Sequence, residues 1–334
     1  MSYKISILGS TGSIGTSTLK IIEKKRKYFN IQTLVANSNY KKIVNQIIKF
    51  KPKIFIILDN SIYLRVKKKF KKSKIKIYNN YQHIKLKKKI NDVTVCAVPG
   101  IDGLEPTILF LKTSKKILLA NKETVICAWH LIEKLIKKHK TKFIPIDSEH
   151  FSISKLLEKD IDTKLIDTVY ITGSGGPFLN NKKKKITPAD AIKHPKWSMG
   201  KKISIDSATM MNKLFEYIEA QKIFKSIKEK IKIIIHPQSQ IHAAVKYKNG
   251  ITNLLFHEPN MMIPIANAIF DSHFELKKIL KLPNKDIEFQ KLEFIPINKN
   301  NFPPIKLIPI LNKYHSLPII LNATNEILVD HFLS

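Results

Sequence analysis

With 334 residues the chain is long enough for two or three domains. Its hydrophobic fraction of 43% excludes a disordered chain, and no run of about 18 apolar residues offers a membrane span. The net charge of +33 matches a nucleic-acid binder in size but not in kind, since only Arg26 and Arg65 among 59 basic residues are arginine. Lysines spread over the whole length give a field that draws anionic substrates and binds nucleic acid loosely at low salt, so no dedicated nucleic-acid function is expected.

Met1 is followed almost at once by the strand-like "YKISIL", which leaves no room for a signal or transit peptide. Cys96 and Cys127 stand alone in apolar surroundings, as in a reducing cytoplasm. From residue 3 to about residue 146, apolar runs alternate with amphipathic stretches. "KISIL", "IQTLVA", "KIFIIL", "VTVCAV", "KILLA" and "KFIPI" read as strands. "SIGTSTLKIIEKKRK" and "YKKIVNQIIKF" read as helices. Such alternation predicts an α/β fold with a doubly wound parallel sheet that binds its ligand at the carboxyl ends of the strands.

The first strand runs into "GSTGSIGTSTL", with Gly9, Gly12 and Gly15 spaced G-x-x-G-x-x-G. Between a first strand and a first helix, this pattern marks a dinucleotide pyrophosphate site. The second strand ends in "VANSNYKK". An NAD enzyme usually places an acid there for the ribose hydroxyls. Here Asn37, Ser38 and Asn39 stand near Lys41 and Lys42, a setting that tolerates a 2′-phosphate, and NADP is the expected cofactor. Farther on, "LANKETV" reads both as a helix start capped by Asn121 and as a polar cluster, Asn121, Lys122 and Glu123, facing cofactor and substrate.

The run "FIPIDSEHFS" ends in four polar residues, Asp147, Ser148, Glu149 and His150. Asp147 or Ser148 would cap a helix over "EHFSISKLLEK". Alternatively Asp147 and Glu149, on one face of an extended segment, would ligate a metal. An Asp–Ser–His triad is disfavoured because adjacent residues point different ways. Downstream, "VYITGSGGPFL" is a strand entering a loop where glycines flank Ser174. "ISIDSATMMNKLFEYIEAQKIF" reads as a helix capped by Asp206 or Ser207, with Asn212, Lys213 and Glu216 on one face. Glu216 with Asp147 and Glu149 would form a carboxylate set suited to Mg²⁺ or Mn²⁺. From the residues alone, cap and metal rank level.

"ILGSTGSIG", "LANKET", "PIDSEH", "TGSGGPF", "HPKWSMGKKISIDSATMMNK", "EYIEA" and "IIHPQSQIH", in this order, resemble 1-deoxy-D-xylulose-5-phosphate reductoisomerase over residues 4 to about 333. The resemblance implies rearrangement and reduction of 1-deoxy-D-xylulose 5-phosphate to 2-C-methyl-D-erythritol 4-phosphate, a step towards isoprenoid precursors. It implies NADPH and one divalent cation, Mg²⁺ or Mn²⁺ with Co²⁺ a third candidate, held by the positions matching Asp147, Glu149 and Glu216. The implied chemistry is Lewis-acid polarisation of the ketone, carbon–carbon cleavage and re-joining, then hydride reduction.

By the same resemblance, Ser174, His194, Ser207, Asn212 and Lys213 grip the substrate phosphate, and Ser148 and Lys122 contact substrate near the metal. Trp197 belongs to a flap that closes over the site and excludes water. Thr11, Gly12, Ser13, Ile14, Asn37, Ser38, Asn39, Asn121, Glu123 and Gly200 match cofactor positions. His236 and His242 carry no metal role. "GITNLLF" and "HEPNMMIPIANAI" fit a sheet and dimer contact, so a cytoplasmic homodimer is expected.

The implied domains are an NADPH-binding Rossmann-like unit at 1–146 and a catalytic and dimerisation unit at 147–275. A linker at 276–302 leads to a shortened helical domain at 303–334. Three departures from the family stand out. Its Gly-Lys-Asn after the second strand is Asn37-Ser38-Asn39, so Lys41 or Lys42 has to compensate. Leu214 replaces a glycine and is expected to crowd cofactor or flap. The last apolar helix, with Ile327, Leu328, Phe332 and Leu333, is expected to lack partners. These departures motivate a second reading, a catalytically weakened relic that still binds NADPH. A semialdehyde dehydrogenase ranks lower, because it needs a nucleophilic cysteine and Cys96 and Cys127 sit on or just after apolar runs.

Overall fold

Each apolar run of the first half forms a strand, and each amphipathic stretch after it a helix. The computed structural model describes residues 2–82, 90–157, 161–179, 186–193, 197, 200–271 and 292–334. In chain order come β1 (Tyr3–Leu8), α1 (Ser13–Lys24), β2 (Phe29–Ala36), α2 (Tyr40–Phe50), β3 (Ile54–Ile57) and α3 (Asn60–Lys69). They are followed by β4 (Lys76–Tyr78), β5 (Asn91–Cys96), α4 (Leu104–Thr113), β6 (Ser114–Leu119), α5 (Lys122–His139) and β7 (Lys142–Pro145). The seven strands form one parallel sheet in the order β4-β3-β2-β1-β5-β6-β7. The order reverses at β1, which is where the glycine-rich turn emerges. Ile5, Ile7, Leu34, Phe55, Val93 and Leu118 are fully buried in the core of this unit. The edge strand β4 had no counterpart among the expected strands.

The next elements are α6 (Ser148–Leu156), β8 (Ile166–Gly173), α7 (Pro188–Ala191), α8 (Lys201–Ala208) and α9 (Met211–Ile223). After them come β9 (Ile231–Ile235), β10 (Ile241–Tyr247), β11 (Thr252–Phe256), α10 (Met262–Phe270) and α11 (Leu317–Leu333). A mixed sheet, β11-β10-β8-β9, has β8 parallel to β9 and antiparallel to β10. Phe215, Ile218, Val169, Ile171 and Val245 pack together as its core.

By packing, one unit comprises Met1–Thr124, Ala128–Ile146 and Met261–Leu282, and the other Val125–Cys127, Asp147–Asn260 and Pro283–Ser334. Helix α10 therefore differs from the 147–275 boundary drawn from sequence. Its Ile265, Ala266 and Ile269 are buried in the core of the first unit. Its end is fixed by the buried Lys116, which donates to Ala268 O at 3.1 Å and pairs with Asp271 at 2.7 Å. The described part of the 276–302 stretch is tied down as well, by paired hydrogen bonds between Ile295 and Ile235.

Three local expectations are corrected. Leu214 is fully buried in the core of the second unit, where it packs with Phe215 and Ile218 instead of projecting at a ligand. Asp206 and Ser207 do not cap α9, for they end α8. The break between the helices is Met210, at φ 63°. Asp206 instead accepts from Asn325 of α11 at 2.8 Å. That helix is thus partnered on one face, where Val329 and Leu333 meet Ala191, Ile205 and Ala208. Ile327 and Leu328 on its other face are 60% and 61% exposed. Among the described residues no helix is long and apolar enough to cross a membrane.

Candidate active site

The first unit holds the glycine-rich turn between β1 and α1. Gly9 sits at φ 82°, and a Cβ there would strike Ala97 O, just past β5. A Cβ on Gly15 would run into Gly9 O and the Ser10 backbone, so the turn closes only with glycine at both positions. The loop is clamped onto α2: Ser10 Oγ donates to Gln46 Oε1 at 2.7 Å, and Gln46 Nε2 returns a bond to Ser10 O at 2.8 Å. Gly12 is the N-cap of α1 and uses no side-chain cap, so with Thr11, Ser13 and Ile14 it presents a bare helix N-terminus. Such a cradle fits a pyrophosphate. Asn37, Ser38 and Asn39 are exposed at the end of β2, and Asn39 caps α2 by accepting from Lys42 N at 3.0 Å. Asn121 caps α5 as expected, accepting from Thr124 N at 2.6 Å, while its Nδ2 donates to Gly100 O at 2.7 Å and to Val98 O. Lys122 and Glu123 are buried in the first turn of that helix.

The second unit bears on both the cap and the metal reading. Asp147 stands at the N-cap of α6 but makes no side-chain capping bond. Glu149 reaches the same place from the first helical turn, not from the extended segment that the sequence suggested. With Glu216 of α9 they offer three carboxylate oxygens within 4.8 Å of one another. Lys213 Nζ lies 2.5 Å from Glu149 Oε1 and 2.5 Å from Glu216 Oε2. Asn212 Nδ2 donates to Glu216 Oε1 at 2.5 Å, and Ser148 Oγ to Glu149 Oε2 at 2.6 Å. Burial, then the Glu216 charge, push Glu149 up to about 8 even though Lys213 opposes the shift. One ammonium is thus too little positive charge for this cluster, and the all-oxygen donor set fits a hard divalent cation.

Asp147 belongs to a second trio as well. His150 Nε2 donates to the backbone O of Glu216 at 2.9 Å. Its Nδ1 lies 3.6 Å from Asp147 Oδ1 and 3.7 Å from Glu219 Oε2. Burial opposes its charge, but Glu219 and Asp147 outweigh this and raise it to about 9. The sequence reading weighed His150 only in a disfavoured triad and did not single out Glu219. The signal available was Glu219 standing three residues beyond Glu216, on the same helical face.

Beside the carboxylates, β8 ends in the Ser174 loop. Ser174 Oγ accepts from Gly176 N at 3.1 Å. A Cβ on Gly173 would meet Lys213 Cε at 3.0 Å, and one on Gly176 would meet Ser207 O at 2.7 Å. The fold therefore gathers Ser174, Ser207, Asn212 and Lys213. His194 lies outside the described residues. Trp197 packs edge-on to His242 at 5.9 Å, and His242 stacks on His257 at 3.8 Å. Burial lowers both histidines, and His242 Nε2 bonds His257 O at 3.2 Å, a packed pair and not a ligand pair. Gly200 is the N-cap of α8. Cys96 is fully buried, and burial pushes its thiol up to about 12, which removes it as a nucleophile.

Three models of one family match the chain. That for 1-deoxy-D-xylulose 5-phosphate reductoisomerase covers residues 5–129, and those for its C-terminal domains cover 143–224 and 256–334. The reductoisomerase of Pelagibacter ubique is 47% identical over 99% of this chain and 86% of its own length. That of Wigglesworthia glossinidia brevipalpis is 39% identical over 99% and 87%. Among solved structures, a DOX-P reductoisomerase in complex with NADPH, fosmidomycin and magnesium superposes with a TM-score of 0.90, at 32% identity over 99% of this chain and 85% of that one. The Zymomonas mobilis enzyme in complex with NADPH gives 0.87, at 32% identity over 100% and 87%. The chain belongs to the 1-deoxy-D-xylulose 5-phosphate reductoisomerase family.

Proposed function

We propose that the chain performs the family reaction, NADPH- and divalent-metal-dependent conversion of 1-deoxy-D-xylulose 5-phosphate to 2-C-methyl-D-erythritol 4-phosphate, with the sites just described. The observation that carries this reading is the convergence of Asp147, Glu149 and Glu216 within 4.8 Å. They hold the cation, Mg²⁺ or Mn²⁺. When bound, the cation supplies Lewis-acid polarisation of the ketone, and NADPH supplies the hydride.

The chain's own residues do the rest. Asn212 and Ser148 orient Glu216 and Glu149 by direct hydrogen bonds. His150 joins the start of α6 to the backbone of α9, which fixes the ligands to each other. Ser174, Ser207, Asn212 and Lys213, joined by His194, grip the phosphate, and Lys213 links that grip to the ligand carboxylates. Lys122 contacts substrate. Trp197 shields the reacting carbons from water, held edge-on against the His242–His257 stack.

Thr11, Gly12, Ser13, Ile14, Asn37, Ser38, Asn39, Asn121, Glu123 and Gly200 take the cofactor. The first unit is the dinucleotide domain and the second the metal and phosphate domain. A cytoplasmic homodimer completes the reading, and the exposed Ile251 and Leu254 at the β11 edge support it. The relic reading has lost its motive in Leu214, which packs in the core.

The test is Glu216→Gln. Turnover falls below detection, Mn²⁺ binding followed by electron paramagnetic resonance is lost, and NADPH binding is unchanged. Retained Mn²⁺ affinity would remove Glu216 from the ligand set.

A further inference from the structure

The second strand ends in Asn37-Ser38-Asn39, with Lys41 and Lys42 just beyond. The two lysines are not equally placed for a phosphate. Lys42 Nζ is bound to Thr11 O at 2.9 Å, where it braces the glycine-rich loop. Lys41 projects from the first turn of α2 as an exposed point charge. The acid at the end of the neighbouring strand, Asp59, is turned into its own helix, accepting from Ser61 Oγ at 2.6 Å and Ile62 N at 2.9 Å. Its Oδ1 is thereby committed to the cap of α3.

A guanidinium lies against the residue that follows this tripeptide. Arg65 projects from the second turn of α3 and lies 3.9 Å from the centroid of the Tyr40 ring. Tyr40 opens α2 directly after Asn37-Ser38-Asn39, and its N–H donates to Ser38 O at 2.8 Å. Stacking uses the flat face of the guanidinium and leaves the N–H edge of this exposed side chain for a planar or tetrahedral oxyanion. In a chain with two arginines among 59 basic residues, the other, Arg26, has a structural task, bonding Phe29 O at 2.5 Å and Phe50 O at 2.8 Å.

We propose that Arg65, stacked on Tyr40, binds the 2′-phosphate of NADPH and is the residue that selects NADPH over NADH in this chain. The assignment rests on the reading that the first unit binds a dinucleotide. Its chemistry is a charge-assisted fork onto a phosphate monoester, with Tyr40 holding the fork in place. The Ser38 hydroxyl and the Asn37 and Asn39 amides complete a polar, acid-free rim.

The experiment measures dissociation constants of NADPH and NADH by fluorescence titration. It uses the full-length wild-type chain, Arg65→Met, Arg65→Lys and Tyr40→Leu, with melting temperatures recorded for each. Arg65→Met keeps the stem and removes the fork. NADPH binding is expected to weaken about tenfold to a hundredfold, as for loss of charged hydrogen bonds, with NADH binding unchanged. Arg65→Lys recovers part of the loss, and Tyr40→Leu gives a smaller loss confined to NADPH. Equal weakening for both dinucleotides would make Arg65 a structural residue and overturn the proposal. So would an unchanged NADPH constant in a wild-type protein that prefers NADPH. A wild-type chain that binds both dinucleotides equally, or neither, would overturn the underlying reading first.

Discussion

Replacing Lys213 by methionine tests the electrostatics of the metal cluster most sharply. Its side chain is 7% exposed and contacts the Glu149 and Glu216 carboxylates at 2.5 Å each. Burial disfavours its charge, but the two carboxylates outweigh this and hold it as ammonium. Methionine keeps the unbranched stem that lies against Gly173. What disappears is the positive charge, and the three carboxyl groups within 4.8 Å are left without their counter-ion. Breaking a buried pair from one side costs about 3–5 kcal/mol. At about 2–4 °C per kcal/mol for a unit of this size, the melting temperature in EDTA falls by about 6–20 °C.

The cation and the ammonium answer the same carboxylates, so saturating Mg²⁺ or Mn²⁺ recovers most of the loss in Lys213→Met and stabilises it more than it does the wild type. Adding Glu149→Gln to Lys213→Met recovers part of the loss without metal. Scanning calorimetry with EDTA, Mg²⁺ and Mn²⁺ reads all of this. A loss of the same size with and without metal, and in the double variant, would mean that Lys213 contributes packing and not charge.

Gly15→Ala is expected to abolish NADPH binding in fluorescence titrations while Mn²⁺ binding persists, because the new Cβ enters the backbone of Gly9 and Ser10. Wild-type NADPH affinity in that variant would refute the close-packed loop. Lys116→Met removes charged bonds to Ala268 O and Asp271 and should cost about 1.5–3 kcal/mol in denaturant melts at neutral pH. The pH dependence has a definite sign. Burial raises the Asp271 pKa, but the hydrogen bonds from Lys116 and Lys142 outweigh this and leave it lowered. Its contribution is present above the unfolded value and lost as pH falls through the folded one, so the gap between wild type and Lys116→Met narrows as pH falls below the ordinary aspartate value of about 3.9. A gap that widens there would contradict the pairing. Leu214→Ala should cost about 2–5 kcal/mol with little change in metal affinity, as for a fully buried leucine. A nearly neutral result would place Leu214 outside the core.

The strands of the first unit were legible because each is a short apolar run bounded by turn residues. Strand β4 was not, being three residues at an edge in a lysine-rich stretch where only Ile77 is buried. The start of α9 was misread because Asp206 and Ser207 look like caps, whereas the helix breaks through a left-handed Met210 that no propensity signals. Helix α10 is apolar nearly all round, so its sequence says that it is buried but not against which unit. Of the site, the carboxylates could be named from sequence, but only packing shows Lys213 between two of them. Only packing, too, reveals the His150–Glu219 support and the Arg65–Tyr40 stack, for these join residues remote in the chain.

The central claim is that the converged carboxylates and the glycine-rich turn serve one metal-dependent reduction. The most direct measurement follows NADPH oxidation by its near-ultraviolet absorbance, with purified chain, 1-deoxy-D-xylulose 5-phosphate, and Mg²⁺ or Mn²⁺. Oxidation that requires substrate, stops with EDTA and resumes with excess metal is the predicted result. A folded chain that binds NADPH and Mn²⁺ yet oxidises no NADPH with this substrate would contradict the account.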